Sequence, residues 1–399
     1  MTADFLIVGG GVVGLSVALE LRKRHPDLTV LVIEKELKPG LHASGRNSGV
    51  LHAGFYYTDD SLKAKLTRDG NREMKAFCED RGLKINHCGK LVVAKGEREL
   101  AGIAELMRRG AANGVDLQEI DSKQAKEIEP RVKTHAKAIF SPTTSTVAPA
   151  EVMAALVAEA ERSGIRVLPE TAYLGRSAGA VRTTKGDVDA GFVVNAAGLY
   201  ADKIARDFGF SQAYRILPFK GLYLYSDEAQ GAIRTNIYPV PDLRNPFLGV
   251  HFTVTADGHA KIGPTAIPCL WREQYGLLGR FRIGELLGMM EVGLPLFVRA
   301  GFDFRSLAFE EMRKYWKPHL VKQAAVLAEG VRTAQYRRWG KPGIRAQLVD
   351  IGKRSLVMDF CLEGDGRSMH VLNAVSPAFT CAFPFARKVC DRISLGSGV

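Results

Sequence analysis

Asp4-Phe5-Leu6-Ile7-Val8-Gly9-Gly10-Gly11-Val12-Val13-Gly14 is the stretch on which the fold turns. Asp4 to Val8 is a short apolar run suited to a buried strand, and Gly9, Gly11 and Gly14 then occupy the glycine positions of G-x-G-x-x-G. Val12 to Arg24 continues with helical periodicity, so the spacing predicts a strand, a tight turn and a helix. Each glycine has its own mechanical task. Gly9 permits the sharp turn, Gly11 lets the backbone come up against a pyrophosphate, and Gly14 lets the helix sit close to the strand. Val12 and Val13 begin a helix whose unpaired N–H groups face that anion. Arg22-Lys23-Arg24 suit its negative end, and Pro26 stops it. Leu28 to Ile33 is a second strand. It ends in Glu34, twenty residues beyond Gly14 and next to Lys35, where a ribose hydroxyl needs an acceptor.

A G-x-G-x-x-G by itself also describes an ordinary glycine-rich turn. Here the strand before it, the helix after it and the acid at the expected distance agree, which makes the stretch a dinucleotide site. An acid at position 34 in place of an arginine argues against a 2′-phosphate and leaves NAD or FAD.

At 399 residues the chain exceeds the ~250–300 at which a single core stops growing, so two domains are expected. No apolar run reaches the ~18–20 residues that cross a bilayer, and the first strand follows Met1 almost at once. The chain therefore reads as intracellular, with no membrane span or signal peptide expected. An excess of 55 basic over 43 acidic residues suits nucleic acid, an anionic membrane surface or acidic small substrates. The lysines and arginines are scattered and no finger or RNP-like pattern occurs, which makes nucleic acid the least favoured of the three. Cys78, Cys88, Cys269, Cys361, Cys381 and Cys390 lie far apart without metal or disulfide spacing; they read as reduced packing residues, and no metal is expected.

Ala43-Ser44-Gly45-Arg46-Asn47-Ser48-Gly49-Val50-Leu51-His52-Ala53-Gly54-Phe55-Tyr56-Tyr57 chooses between the two dinucleotides. Its small residues let the backbone run beside a long flat ligand, Ser44 and Ser48 suit phosphate oxygens, and Arg46 can neutralise them. A dehydrogenase binding NAD has no need of such a segment directly after its second strand. A flavoprotein does, because FAD extends from the first turn across the sheet edge. Together with the glycine turn, these residues resemble the D-amino-acid oxidase superfamily of flavoproteins, and within it the L-2-hydroxyglutarate dehydrogenases/oxidases, over nearly the whole chain.

The resemblance implies an α/β (α+β overall) fold: a Rossmann-like FAD-binding domain formed by residues 1–80, 141–214 and 340–399, with an inserted antiparallel-sheet substrate domain formed by 81–140 and 215–339. It implies that Asn47, Gly49 and Leu51 join Ser44, Arg46 and Ser48 at the cofactor, and that the backbone at Tyr173 meets the adenine.

Ser61 to Arg81, Glu97 to Asn113 and Gln124 to Glu129 read as helices without nameable chemistry. Phe192 to Gly198 is a buried strand ending in Ala196-Ala197-Gly198, either core packing or the passage of a central strand under a ligand. From Arg215 the texture changes. Pro218 to Tyr225, Ile237 to Val240, Leu248 to Thr253 and Lys261 to Thr265 read as strands of an antiparallel sheet, which in the family roofs the flavin. Phe281 to Phe304, broken by Gly293 and Pro295, reads as a helical hairpin; Arg299, Arg305, Arg313, Lys314 and Lys317 nearby give a second reading, a shallow membrane contact. Ser376-Pro377-Ala378-Phe379-Thr380 precede a helix of about Thr380 to Ile393, whose N-terminus by resemblance points at the pyrimidine edge of the flavin.

Oxidising a 2-hydroxy acid sends hydride from Cα to flavin N5 while a base accepts the hydroxyl proton, and histidine suits a base at neutral pH. Of nine histidines, His52 and His251 stand in the stretches assigned to the flavin and its roof, and His52 is slightly favoured; its other reading is a hydrogen bond or covalent link to the ring. His25, His135, His259 and His319 read as surface residues. Arg345 resembles the position from which relatives grip the C1 carboxylate, a task that suits a guanidinium fork. For the distal carboxylate the candidates are Lys220, Tyr238, Thr253 and Tyr56. The net charge of +12 steers a dianion inward. Electrons then pass to a quinone or another acceptor, from a cytoplasmic protein or one peripheral on the inner face of the membrane. Rival readings are an amine or amino-acid oxidase, a glycerol-3-phosphate dehydrogenase and a flavin-binding partner without turnover.

Overall fold

The computed structural model describes residues 1–177, 179–242, 248–299 and 304–393, without the side chain of Arg299. The apolar run at the N-terminus forms the strand Thr2–Val8, which pairs in parallel with Val30–Ile33 on one side and Gly186–Asn195 on the other. Arg166–Leu168 and Ser368–Asn373 extend the same sheet in parallel. Central strands of this kind are buried on both faces, which is why Phe5 to Val8 and Val30 to Ile33 carry no alternation of polarity. The helices Val12–Arg24, Pro149–Arg162, Leu62–Asp80 and Ala382–Cys390 cover one face, and their apolar side chains share one core with the strands. Close approach at the first turn is possible only with glycine. A Cβ at Gly14 would stand 2.0 Å from the carbonyl oxygen of Gly9, and one at Gly9, where φ is +112°, would stand 2.6 Å from that of Ala196.

A second sheet of eight strands runs Tyr336–Trp339, Leu224–Ser226, Ala260–Gly263, His251–Val254, Asn236–Pro239, Lys90–Val93, Lys137–Ser141 and Gln118–Asp121. It is antiparallel except where Lys90–Val93 lies parallel to Asn236–Pro239. Side chains alternate across a strand, so the pairing of Lys90 with Asn236 and of Thr253 with Lys261 puts Lys90, Tyr238, His251, Thr253 and Lys261 on one face.

Two details differ from the sequence reading. Pro218 to Tyr225 is not one strand: Tyr214–Gly221 pairs with Gly343–Asp350 in a separate four-stranded sheet, and Leu224–Ser226 belongs to the eight-stranded one. Between them Leu222 exchanges hydrogen bonds with Thr265, which replace the ladder while the chain changes sheet. Gly293 and Pro295 do not break the later stretch either. One helix, Ile283–Arg299, runs through both, because Met289, Val292 and Leu296 bury against Leu217 and Phe219 and offset the one hydrogen bond that Pro295 cannot donate. Residues 300–303, which complete the expected hairpin, lie outside the described residues. Because Gly343–Asp350 is hydrogen-bonded along Tyr214–Gly221, we place residues 343–356 with the substrate side of the proposed division rather than with the nucleotide side.

A buried ion pair ties the two sides of the proposed division. Arg272 donates to both oxygens of Asp202, at 2.7 and 2.9 Å, from a loop on the substrate side to the helix Ala201–Asp207 on the nucleotide side. Burial pushes the Asp202 carboxyl up, but the Arg272 guanidinium and the N–H of Ile216 outweigh it and hold it below the usual range. A carboxyl depressed in this way stabilises the fold above its unfolded pKa of ~3.9 and loses that contribution as pH falls. Arg272→Met leaves the buried Asp202 with the longer Arg206 contact at 3.4 Å and the Ile216 N–H, and urea unfolding at neutral pH is expected to show a loss of about 3 kcal/mol. The difference from the parent should narrow on acidification, first as the variant's Asp202, deprived of Arg272, takes up a proton above ~3.9, and then below it as the parent loses the contribution of its depressed carboxyl.

Candidate active site

Between the two parts lies a cavity of about 1280 Å³. That exceeds the ~300–1,000 Å³ of an ordinary small-ligand site and suits a dinucleotide with a small acid beside it. At one end it is lined by Gly9, Gly11, Val12, Val13, Glu34 and Lys35, and along its length by Ser44, Arg46, Asn47, Ser48, Tyr173, Ala196, Ala197 and Gly198. Ser376, Pro377, Ala378, Phe379 and Thr380 line it too, as do His52, Tyr238, His251 and Arg345.

At the nucleotide end the Glu34 carboxylate accepts the N–H groups of Gly10 and Glu36, both at 3.0 Å, and the Ser44 hydroxyl caps Val12 N–H at 2.9 Å. Arg46 donates to the carbonyls of Leu41 and Pro342 and lies 4.4 Å over the ring of Tyr275. Glu36 and Glu273 pair with Lys35 and Arg280, joining this end to the substrate side. The backbone is bare where a long ligand needs it to be. A Cβ on Gly198 meets nothing within 4 Å, and one on Gly11 meets only the Ser44 hydroxyl, at 3.0 Å.

At the other end two histidines from distant parts of the chain come together. His52 is anchored through its backbone N–H on the Thr380 hydroxyl at 3.2 Å, and its Nδ1 lies 3.4 Å from Lys90 Nζ. His251 stacks on Tyr238 at 3.7 Å, a consequence of the pairing of Ile237 with Phe252, and its Nδ1 donates to the carbonyl of Gly249 at 3.0 Å. Burial and the nearby Lys90 charge push both imidazoles down, His251 to about 3, so both are neutral at pH 7. Arg345 donates its Nε–H to Gln347 Oε1 at 3.1 Å. The amide of Gln347 is itself turned by bonds to the carbonyls of Leu348 and Val357, which sets the direction of the fork. Burial lowers Arg345 to about 10, and it stays charged at neutral pH.

The cavity does not take in every expected residue. Gly14, Gly49 and Leu51 serve the backbone around it: Gly14 the helix contact, Gly49 a turn at φ +81° whose Cβ would meet the Val147 carbonyl at 2.3 Å, and Leu51 a buried strand whose carbonyl holds Asn71. Lys220 points away, since Phe219 and Gly221 on either side of it line the cavity and alternation turns it to the other face. Tyr56 packs on Phe55 in a core with Val92 and Ile103, and Thr253 sits one residue pair further along its strand, opposite Lys261. Of the distal candidates only Tyr238 remains on the lining. His25, His259 and His319 are half-buried rather than on the surface; His25 lies against Phe5, and His319 against Glu310. Sequence reading missed Lys63, Lys90 and Lys261, three buried lysines around the reacting end that burial pushes down to about 7, 7 and 8. A lysine in a helix or a strand reads as solvent-facing, and no local signal distinguishes these three, of which Lys63 is helical and Lys90 and Lys261 lie in strands.

A phosphate-ready turn at one end of a cavity and paired neutral imidazoles at the other define a flavin-dependent oxidoreductase. The chain belongs to the DAO family, FAD dependent oxidoreductase, which it matches over residues 4–392, and its cofactor is FAD. It is 37% identical to the mitochondrial L-2-hydroxyglutarate dehydrogenase of Nematostella vectensis, over 98% of this chain and 90% of that one. It is 33% identical to the L-2-hydroxyglutarate dehydrogenase of Escherichia coli, over 98% and 93%. In fold it is similar to the L-alpha-glycerophosphate oxidase of Mycoplasma pneumoniae, solved with FAD bound, with a TM-score of 0.75 at 20% identity over 98% and 94% of the two chains.

Gly11→Val puts a branched side chain against Ser44 and into the bare backbone strip. Flavin content per purified chain, read from the ratio of visible to ultraviolet absorbance, is expected to fall about tenfold or more, for which ~1.4 kcal/mol of lost binding suffices. Far-ultraviolet circular dichroism should be unchanged; full flavin content in this variant would remove Gly11 from the cofactor site.

Proposed function

We propose that the chain oxidises L-2-hydroxyglutarate to 2-oxoglutarate. The observation that carries this reading is the convergence of two neutral imidazoles and one arginine fork on the cavity that also contains the glycine turn. Its similarity over almost its full length to proteins named L-2-hydroxyglutarate dehydrogenase supports the choice of acid. The residues fit FAD: the turn from Gly9 to Gly14 and the start of the helix Val12–Arg24 suit the pyrophosphate, Glu34 the ribose, and Ser44, Arg46, Asn47, Ser48, Tyr173 and Ala196 to Gly198 the length of the molecule. Ser376 to Thr380 complete the wall. FAD, when bound, supplies the acceptor for the hydride that leaves Cα as the carbonyl forms.

The chain itself handles the proton and the two carboxylates. A base must be uncharged before it acts, and both histidines meet that condition. His251 is held by a carbonyl on its Nδ1 and by the ring of Tyr238, which fix its tautomer and orientation. We assign the base to His52. Its Nδ1 meets an amine, which can accept or donate, so the ring is free to change tautomer. His251 then orients the hydroxyl. Arg345 takes the C1 carboxylate in its fork, Tyr238 offers a hydroxyl to the distal one, and the buried lysines behind them make the pocket attractive to a dianion.

For the electron acceptor we propose a membrane quinone reached by peripheral attachment. Among the described residues no helix is long and apolar enough to cross a membrane. The helix Ile283–Arg299 and the turn before it nevertheless expose Leu277, Leu278, Phe281, Ile283, Leu287, Leu294 and Val298, and Phe281 also lines the cavity mouth. Arg282, Arg305 and Arg313 are exposed around this face. Lys314, by contrast, is buried and paired with Glu311, so it is not part of a cationic rim.

Under anaerobic conditions L-2-hydroxyglutarate, but neither its D enantiomer nor glycine, sarcosine or glycerol 3-phosphate, is expected to bleach the flavin absorbance. Arg345→Ala should raise KM strongly while flavin stays bound, and His52→Asn should slow reduction by roughly 10²–10⁴-fold with KM little changed. Bleaching by an amine and not by the hydroxy acid would overturn the substrate assignment. In vesicle sedimentation the protein should pellet with anionic vesicles, and Phe281→Ser together with Leu287→Ser should release it; equal sedimentation of parent and variant would exclude this face.

A further inference from the structure

Lys90 is fully buried at the start of the strand Lys90–Val93. Placing an ammonium there costs several kcal/mol unless it is paired, and among the described residues no carboxylate lies within ion-pair distance of it. Its surroundings are aromatic faces, with the rings of Tyr238 at 4.4 Å, Tyr56 at 5.1 Å and Phe55 at 5.5 Å from Nζ. Among the described residues its one hydrogen-bond partner is His52 Nδ1 at 3.4 Å. A methionine would fill the same space without the cost of burying charge. An amine held against one ring nitrogen of a cavity histidine, and against little else that is polar, is placed to exchange a proton with that ring.

We infer that Lys90 is the proton acceptor behind His52, a reading that rests on the hydroxy-acid oxidation proposed above. As the substrate O–H bond breaks, its proton binds His52 Nε2 while the Nδ1 proton passes to Lys90 Nζ. The imidazole ends neutral in its other tautomer, and the amine ends as an ammonium. The electron pair of the Cα–H bond leaves with the hydride to the FAD that the activity already requires, so charge and atoms balance. Relaying the proton spares the pocket an imidazolium beside the reacting carbon. Lys90 does not itself touch substrate; it is a positioning and proton-accepting residue that acts through His52.

The relay needs Lys90 to start as the free amine, and burial pushes it down to about 7, so that form is substantially populated at neutral pH. The titratable groups facing it are His52 and His251, the phenols of Tyr56 and Tyr238, and the Cys88 thiol. The two phenols are pushed up and the two imidazoles down, so none of these four changes charge near pH 7. Burial also pushes the Cys88 thiol up, away from neutrality. The sign is therefore fixed: the rate of flavin reduction should rise with pH through about 7 and level off above it, whereas His52 acting alone would give a flat profile in that range.

Stopped-flow reduction of the holoenzyme by L-2-hydroxyglutarate between about pH 6 and 9 tests this. Lys90→Met should remove the rising limb and slow reduction roughly 100-fold, with KM changed less than about threefold. Lys90→Arg keeps the bulk but cannot release its proton, and it should be equally slow and flat. As a readout that needs no turnover, histidine ¹⁵N resonances of the parent holoenzyme should show His52 passing from the Nε2–H to the Nδ1–H tautomer over the same range, and Lys90→Arg should hold it as Nε2–H. A limb near pH 7 that survives in both variants, or a His52 tautomer indifferent to pH in the parent, overturns the proposal. If Lys90→Met does not fold, the arginine variant and the parent titration decide the matter. If the acid fails to bleach the parent at any pH, the substrate reading falls while the tautomer titration still judges Lys90.

Discussion

Buried positive charge is the constraint around which the reacting end is built. Lys63, Lys90, Lys261 and Arg345 are all withdrawn from water there, and among the described residues none of the three lysines has a carboxylate partner. Burial lowers the pKa of these lysines and of the imidazoles beside them, and the Lys90 charge adds to the effect on the imidazoles, which keeps His52 and His251 neutral and leaves the lysines titrating near neutral pH. In the proposed function a dianionic substrate supplies the missing charge. The pocket is thus electrostatically incomplete by itself and complete with the acid bound, so the cost of burying the lysines is recovered as affinity and discrimination.

The two sheets contribute differently to this arrangement. The parallel sheet presents backbone: a glycine turn, the start of a helix, and a strand ending in Ala196-Ala197-Gly198, all of which suit a ligand recognised by shape and phosphate charge. The roof presents side chains from one face of an antiparallel ladder, where Tyr238, His251, Lys90 and Lys261 meet across three strand pairs. Arg345 comes from the neighbouring four-stranded sheet, opposite Phe219. Because each group is held by a ladder and not by a loop, the geometry depends on how the sheets are docked. That docking rests on Arg272 with Asp202 at one point and on the Lys35, Glu36, Glu273 and Arg280 cluster at another.

The rim of the cavity has a different character from its interior. The helix Ile283–Arg299 buries Met289, Val292 and Leu296 against the four-stranded sheet and turns Leu287, Leu294 and Val298 outward. This apolar outer face is continuous with the cavity mouth through Phe281.

Much of the cofactor end was legible in the chain because its chemistry is local. Gly9 to Gly14, Glu34 and Ser44 to Ser48 carry their meaning in spacing, since a turn, a helix start and a ribose acceptor are fixed by neighbours in sequence. His52, His251 and Arg345 could be picked out by residue type within stretches assigned by resemblance, and the structure brings all three to one cavity. Lys220, Tyr56 and Thr253 could not be judged in that way, because alternation along a strand says which residues share a face but not which face meets the cavity, and a shift of one residue reverses the answer. Nor could Lys90: it becomes a partner of His52 only when residues 90–93 lie beside 236–239, a pairing of distant segments that tertiary structure alone decides. The sequence by itself determined the strand, glycine turn and helix that suit a dinucleotide and which groups are chemically able to act. Only the packing of the sheets decided which of those groups meet, because burial and distance, and with them charge state, are properties of the folded interior and not of the residue.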